Sequence, residues 1–190
     1  MKHSIIVFRH GEVFSDGDKI FCGWLNLPLT KKGESQSKKL ALKIAKEKID
    51  YGFCSDLLRS KQALLEVLSF HPKAKVIVSH RLRERNYGVL TGYNKTKFSK
   101  KFPGFFNHVH RGYTAIIPKG EDIHDVAKRV IPFMNDLITF MQHEKCDVAI
   151  SAHTNSMRVI IAYLENKPIS DSVRLNHDPE SYKKYVVEFD

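Results

Sequence analysis

The chain has 190 residues, 42% of them hydrophobic, with 31 basic against 21 acidic side chains for a formal net charge of +10. That length suits one compact domain with a real core. The run Ser4 to Phe8 is too short for a signal-peptide core, and no stretch approaches the about 20 apolar residues of a membrane span, so a cytoplasmic protein is expected. The basic excess favours anionic partners without choosing among phosphorylated metabolites, nucleic acid or a membrane surface. Its lysines, from Lys31-Lys32 to Lys100-Lys101, are interspersed with acidic residues and read as a solvated face. No compact arginine run or repeated aromatic-basic pattern suggests nucleic acid, and neither that partner nor a membrane is expected. Cys22, Cys54 and Cys146 stand far apart with no CxxC spacing, which argues for reduced thiols rather than a disulfide framework or a zinc site.

In chain order, the first strand signal is Ser4 to Phe8, followed at once by Arg9-His10-Gly11-Glu12. A buried strand ending this way fixes an imidazole at the carboxyl edge of a sheet, beside a permanent cation and a glycine that lets backbone approach a ligand. Thr30 is placed to cap a helix reaching about Lys48, with Leu40, Leu42 and Ile44 as apolar positions. Tyr51 to Cys54 reads as a second strand, and Ser55 or Asp56 as the cap of a helix through Leu68. Lys75 to Ser79 and Val148 to Ser151 read as further strands. Helices are expected over Ile123 to Gln142, with Pro132 a local irregularity, and over Ser156 to Glu165. Tyr182 to Phe189, rich in Tyr and Val, reads as a late edge strand. This alternation predicts an α/β three-layer sandwich, a mostly parallel central sheet flanked by helices, spanning 1–190 as a single domain without repeats or linkers.

Ligands of such sheets sit beyond the carboxyl ends of the strands. Arg9-His10, Ser55 to Arg59, His80 to Arg85 and His153 each follow a strand, so all four segments fall on one rim. His10, His153, Arg9 and Arg59 are expected to converge there on a phosphoryl group, because arginine's planar fork matches phosphate oxygens and a protonated imidazole adds charge where negative charge builds up in the transition state. His10 is the expected nucleophile, attacking phosphorus through one ring nitrogen while a backbone carbonyl holds the other. Glu84, inside Arg83-Glu84-Arg85, is the expected proton carrier; a general-acid role there calls for burial or a bound phosphate beside it.

On these residues the sequence resembles the histidine phosphatase superfamily, and more narrowly its cofactor-dependent phosphoglycerate mutases, from Arg9 to about Glu165. Arg9-His10-Gly11-Glu12 resembles the family's opening motif, and Phe21-Cys22-Gly23-Trp24, Pro28-Leu29-Thr30 and Lys32-Gly33-Glu34 follow at mutase spacing. Ser55 to Ser60 is similar to the segment with the second phosphate arginine, and His153-Thr154-Asn155-Ser156-Met157-Arg158 to that with the second histidine. Glu84 to Lys95 is the most specific stretch, since simple phosphatases usually keep the glutamate but not the Arg, Tyr and Lys.

The resemblance implies the histidine phosphatase fold, with His10 phosphorylated, Glu84 donating and accepting the proton, and His153 stabilising the transferring group. It implies that Cys22, Gly23, Arg85, Tyr87, Lys95, Thr154 and Asn155 hold the substrate, with Arg111 a further clamp. The implied reaction interconverts 3-phosphoglycerate and 2-phosphoglycerate, as in glycolysis and gluconeogenesis, with no metal and with 2,3-bisphosphoglycerate as primer. A small phosphorylated substrate is thus the expected partner; a homo-oligomer is left open.

The chain departs from the mutase pattern at several points. Asp16 stands where mutases place an asparagine that touches phosphate, Val13 replaces a small hydroxyl residue, and Thr154 replaces a glycine. The candidate lid, 94–120, is shorter than in typical mutases and offers His110-Arg111 where they carry paired arginines. A shorter lid admits water, and water attacking phosphohistidine makes a phosphatase. A phosphatase on a small phosphorylated acid, using the same Arg9, His10, Arg59, Glu84 and His153, is therefore the alternative, and a basic binding protein without catalysis a third. Trp24 is expected to pack as a loop anchor. His108 and His110 lack a nearby carboxylate or thiol at motif spacing, so no metal site is expected. His3, His71, His80, His124, His143 and His177 have no motif context and receive no role.

Overall fold

The computed structural model describes residues 1–14, 19–111, 115–172 and 176–189, with backbone alone at His108, His110, Arg111 and Ser172. Asp16 lies outside the described residues, as does the side chain of Arg111.

Five strands form one sheet in the order β3-β2-β4-β1-β5: β1 (Lys2–Arg9), β2 (Tyr51–Cys54), β3 (Lys75–Val78), β4 (Val148–Ala152) and β5 (Tyr182–Glu188). The first four are parallel, while β5 runs antiparallel along β1 at the edge that its Tyr/Val-rich sequence suggests. The helices are α1 (Lys31–Ile44), α2 (Leu58–Leu68), α3 (Lys95–Lys101), α4 (Pro103–Arg111), α5 (Ile123–Glu144), α6 (Thr154–Leu164) and α7 (Ile169–Ser172).

β1 does not alternate polar with apolar because both of its faces are covered. Ile5 and Val7 pack with Val130, Met134 and Leu137 of α5 and with Met157 and Ile160 of α6. Ile6 and Phe8 face the other way, onto Leu40 and Ile44 of α1 and Leu64 and Val67 of α2. The two cores on opposite faces make the three-layer sandwich. β3 is an edge strand, which leaves Val76 44% and Val78 45% exposed. A third cluster, Phe21, Tyr87, Phe98, Val109 and Ile117, fastens the 94–120 segment to the loop after β1.

Local boundaries differ from the sequence reading for identifiable reasons. Helix α1 ends at Ile44 rather than Lys48, because Ile49 is the next core residue and a continued helix would carry it away from the sheet. Leu42 is 66% exposed: two residues from both Leu40 and Ile44, it falls on the opposite helix face. Neither Ser55 nor Asp56 caps α2 in the usual manner; the N-cap position is Leu57, Ser55 Oγ accepts from Leu57 N at 3.3 Å, and the Asp56 carboxylate is taken by Arg83. Helix α6 starts at Thr154 rather than Ser156, with His153 N donating to Ser156 Oγ at 3.0 Å. Helix α5 carries Pro132 in its interior and begins with a capping box in which Asp125 N donates to Asp122 Oδ1 at 2.8 Å. Thr30 does cap α1, accepting from Gly33 N at 3.0 Å. The three cysteines are free thiols.

Candidate active site

Strand order brings the two histidines together. β1 and β4 are neighbours with Arg9 paired to Ala152, so the next residue of each chain segment, His10 and His153, leaves the same sheet edge side by side. Their ring centroids are 4.9 Å apart with planes at 63°. β2 flanks β4 on its other side, with Cys54 paired to Ser151; Ser55 therefore arrives next to His153, and its Oγ is hydrogen-bonded to Nε2 at 2.7 Å.

His10 is held as one tautomer. Its Nδ1 donates to the Gly11 carbonyl at 2.7 Å, which leaves Nε2 with a lone pair, and Arg59 Nε donates to that nitrogen at 3.2 Å. The Arg59 fork is itself fixed, Nη1 donating to Leu25 O at 2.7 Å and Nη2 to Gly23 O at 2.8 Å. Gly23 is needed there: its φ is +48°, and a Cβ would lie 3.2 Å from both Arg85 O and Tyr87 N. Burial, then the Arg59 and Arg9 charges, push the His10 pKa well below its ordinary 6.5. His153 is lowered in the same direction by burial, Arg59 and His10. Both shifts favour the neutral rings in the ligand-free site, where the charges nearest them are those of the arginines.

Glu84 approaches from the loop after β3. Its Oε1 accepts three donors, Arg85 N at 2.7 Å, Asn155 Nδ2 at 2.9 Å and Asn155 N at 3.2 Å, and Oε2 has no hydrogen bond among the described residues. That second oxygen is the one able to give or take a proton. The loop is pinned from below by Arg129 of α5, which donates to the carbonyls of Arg81, Arg83 and Glu84 and to the Glu121 carboxylate. Trp24 serves as the expected anchor: Nε1 donates to Glu84 O at 2.7 Å, and the Arg83 guanidinium lies 4.7 Å from its ring.

One cavity of about 220 Å³ is lined by Arg9, His10, Arg59, Glu84, Asn155 and Thr154, together with Cys22, Gly23, Tyr87 and Lys95. Lys95 is brought to the rim at the start of α3, its N–H donating to Lys19 O at 2.7 Å. Thr154 occupies the first helical position without a positive φ, so the missing glycine creates no strain. Arg85 stands apart from the cavity lining: its Nε donates to Glu121 O and its Nη1 to Val109 O at 3.0 Å, so it ties α4 to the Glu84 loop. Val13, one of the departures, lines the cavity, as do Ile20, Arg158, Asn176 and His177.

Sequence reasoning gave no part in the site to Arg158, Asn176 or His177, and read Ser55 only as a helix cap at the head of the Arg59 segment. Arg158 was visible as the last residue of the His153 block, four positions past Thr154 on a helix whose first turn faces the site; its Nη1 donates to Asn155 Oδ1 at 3.0 Å. Asn176 and His177 follow no motif, and only the return of the chain toward β5 puts them here. Among the described residues, Asp122, His124 and Asp125 bring ligand atoms within 4.8 Å of one another, but the two carboxylates form the capping box of α5. No helix among the described residues is long and apolar enough to cross a membrane.

The model of the histidine phosphatase superfamily (branch 1) matches residues 5–190. A 2,3-bisphosphoglycerate-dependent phosphoglycerate mutase of Buchnera aphidicola subsp. Cinara cedri is 32% identical over 219 aligned positions, covering 99% of this chain and 94% of that protein. A mycobacterial glucosyl-3-phosphoglycerate phosphatase has a similar solved structure, with a TM-score of 0.83, 21% identity, and 98% and 91% of the two chains covered. The alpha-ribazole phosphatase from Shigella flexneri also gives 0.83, at 21% identity over 95% and 89% of the two chains. At that identity the structural likeness speaks for the fold.

Proposed function

We propose that this chain, which belongs to the histidine phosphatase superfamily, is a phosphoglycerate mutase interconverting 3-phosphoglycerate and 2-phosphoglycerate through phosphohistidine at His10. The observation that carries this reading is the position of Lys95 in the same cavity as His10. A simple phosphomonoester needs Arg9, Arg59 and the two histidines; a cation on the α3 side suits a substrate with a second anionic group. The Glu84-Arg85-Asn86-Tyr87 segment and full-length similarity to a mutase support the same conclusion.

In this reading His10 is primed by 2,3-bisphosphoglycerate. Nε2 attacks phosphorus, the N–P bond forms as the P–O bond to the leaving hydroxyl breaks, and Glu84 Oε2 delivers the proton that the hydroxyl oxygen needs. Return is the reverse at the other carbon: Glu84 takes the proton of the attacking hydroxyl, and the phosphoryl group leaves Nε2. Arg9 and Arg59 hold the phosphoryl oxygens, where fixed donors are most effective because charge spreads over them in the transition state. The chemistry needs no metal.

A second reading, hydrolysis of a small phosphorylated acid, is favoured by one observation. The Arg85 guanidinium is bonded to backbone carbonyls and stands away from the cavity, which reduces the cations available to retain a second anionic group. Water would then take the place of the acceptor hydroxyl on the same phosphohistidine. Incubation with 3-phosphoglycerate, with and without trace 2,3-bisphosphoglycerate and with a chelator present, tests both. Primer-dependent 2-phosphoglycerate supports the mutase; accumulation of inorganic phosphate instead overturns it in favour of hydrolysis.

A further inference from the structure

The Asn155 side chain stands between the Glu84 carboxylate and the Arg158 guanidinium. Its Nδ2 donates to Glu84 Oε1 at 2.9 Å and reaches Tyr87 Oη at 3.5 Å, while its Oδ1 accepts from Arg158 Nη1 at 3.0 Å. Asn155, Arg158 and Glu84 are all buried. Asn155 and Arg158 lie three positions apart in α6, which makes them neighbours on one helix face. The two ends of an asparagine amide have nearly the same shape, so its partners decide which end points where. Arg158 decides it here. A guanidinium has donors and no acceptor, so only Oδ1 can meet it, and the NH2 end is thereby turned toward the carboxylate. A reversed amide would set Oδ1 against Glu84 Oε1 and its N–H groups against those of Arg158, leaving buried polar groups unpaired. With the amide in the observed sense, Oε1 also accepts from Asn155 N in the first turn of α6 at 3.2 Å and from Arg85 N at 2.7 Å. Three donors on Oε1 fix the carboxylate in the orientation that leaves Oε2 for the proton.

We propose that Arg158 is a positioning residue for proton transfer: by holding Oδ1 of Asn155 it orients the amide that in turn aims Glu84 at the leaving oxygen. The inference rests on the proposed phosphorylation of His10 with Glu84 as proton donor, and it holds whether a hydroxyl or water later accepts the phosphoryl group. In the step concerned, the bond from His10 Nε2 to phosphorus forms, the P–O bond breaks, and the proton on Glu84 Oε2 passes to the departing oxygen. A leaving group that is stable as an anion departs without that proton. The contribution of Arg158 therefore grows with the basicity of the leaving group.

The test compares phenyl phosphate with 2,4-dinitrophenyl phosphate, two aryl monoesters whose leaving groups differ in basicity, under single-turnover conditions with enzyme in excess. Release of the phenol then reports the phosphorylation of His10 alone. Arg158→Met is expected to slow the phenyl ester about tenfold and the dinitrophenyl ester by less than about threefold. In the Asn155→Ala protein, adding Arg158→Met is expected to slow the phenyl ester by no more than about twofold further, since the intermediary is already gone. Should Arg158→Met fail to fold, Arg158→Lys carries the test: its ammonium still donates to Oδ1, and both esters are expected to react within about threefold of wild type. Equal slowing of the two esters in either variant, or a full further loss in the Asn155→Ala background, would show a structural role and overturn this inference alone. A wild-type protein that releases neither phenol fails the phosphohistidine reading and this inference together.

Discussion

Arg59 Nε donates at 3.2 Å to the very nitrogen of His10, Nε2, that is left unprotonated because the Gly11 carbonyl takes the hydrogen on Nδ1 at 2.7 Å. On the proposed function, one guanidinium thus orients the nucleophile and stands where phosphoryl oxygens would arrive. Because two more of its donors are used on Leu25 O and Gly23 O, lysine cannot reproduce the arrangement. Arg59→Lys and Arg59→Ala are both expected to lower kcat by about 10²–10³. Steady-state kinetics would check this, and a lysine variant with near wild-type kcat would argue against the assignment.

The carboxylate of Glu84 has one oxygen saturated by donors from Arg85 and Asn155 and the other open. Glu84→Gln keeps an acceptor for those donors and removes the proton carrier, so kcat is expected to drop by about 10²–10⁴ with little change in melting temperature. Asn155→Ala should act more mildly, about tenfold, by loosening the carboxylate.

Neutral buried histidines make the fold sensitive to acid. His10 and His153 have folded pKa values well below 6.5, whereas in the unfolded chain they titrate near that value. Between the two values the unfolded state binds more protons, so unfolding free energy falls as pH drops below about 6.5, with a slope approaching about 1.4 kcal/mol per pH unit for each such histidine. Urea unfolding at pH 7.5, 6.0 and 5.0 measures it, and in His10→Asn the slope should shrink. Nitrogen-detected NMR of the His10 ring should show the neutral form protonated on Nδ1 at pH 6.

Much of this architecture is legible in the chain itself. β1 and β4 announce themselves as unbroken apolar runs because both faces of the central strands are covered, and Arg9-His10 and His153 follow them directly. Convergence of those residues follows from the parallel pairing of neighbouring strands, a rule that needs no side-chain detail. What could not be read is where tertiary contacts compete for a side chain. Arg85 carries the charge expected of a substrate clamp, but its Nε and Nη1 are taken by Glu121 O and Val109 O, which lie 36 and 24 residues away in sequence. Asp56 looks like a helix cap and is captured by Arg83. His177 is a lone histidine outside any motif, and nothing in its sequence neighbours reveals that it lines the cavity.

Two glycines hold the loop behind His10 in place. A Cβ on Gly33 would lie 2.1 Å from Glu12 O, and one on Gly11 2.2 Å from Gly33 O, because the backbones of the His10 loop and of α1 cross in contact. Gly33→Ala is expected to destabilise the fold by about 1–3 kcal/mol, a fall of several degrees in melting temperature, and to reduce activity by displacing the loop. An unchanged melting temperature would contradict that crossing.

The most direct measurement of all is to mix the protein briefly with phosphorus-labelled 2,3-bisphosphoglycerate, quench in alkali and locate the label. The account predicts an acid-labile, alkali-stable phosphoryl group on the peptide containing His10, absent in His10→Ala. Label that persists in His10→Ala, or a wild-type protein that turns over phosphoglycerate without ever carrying label, would contradict it.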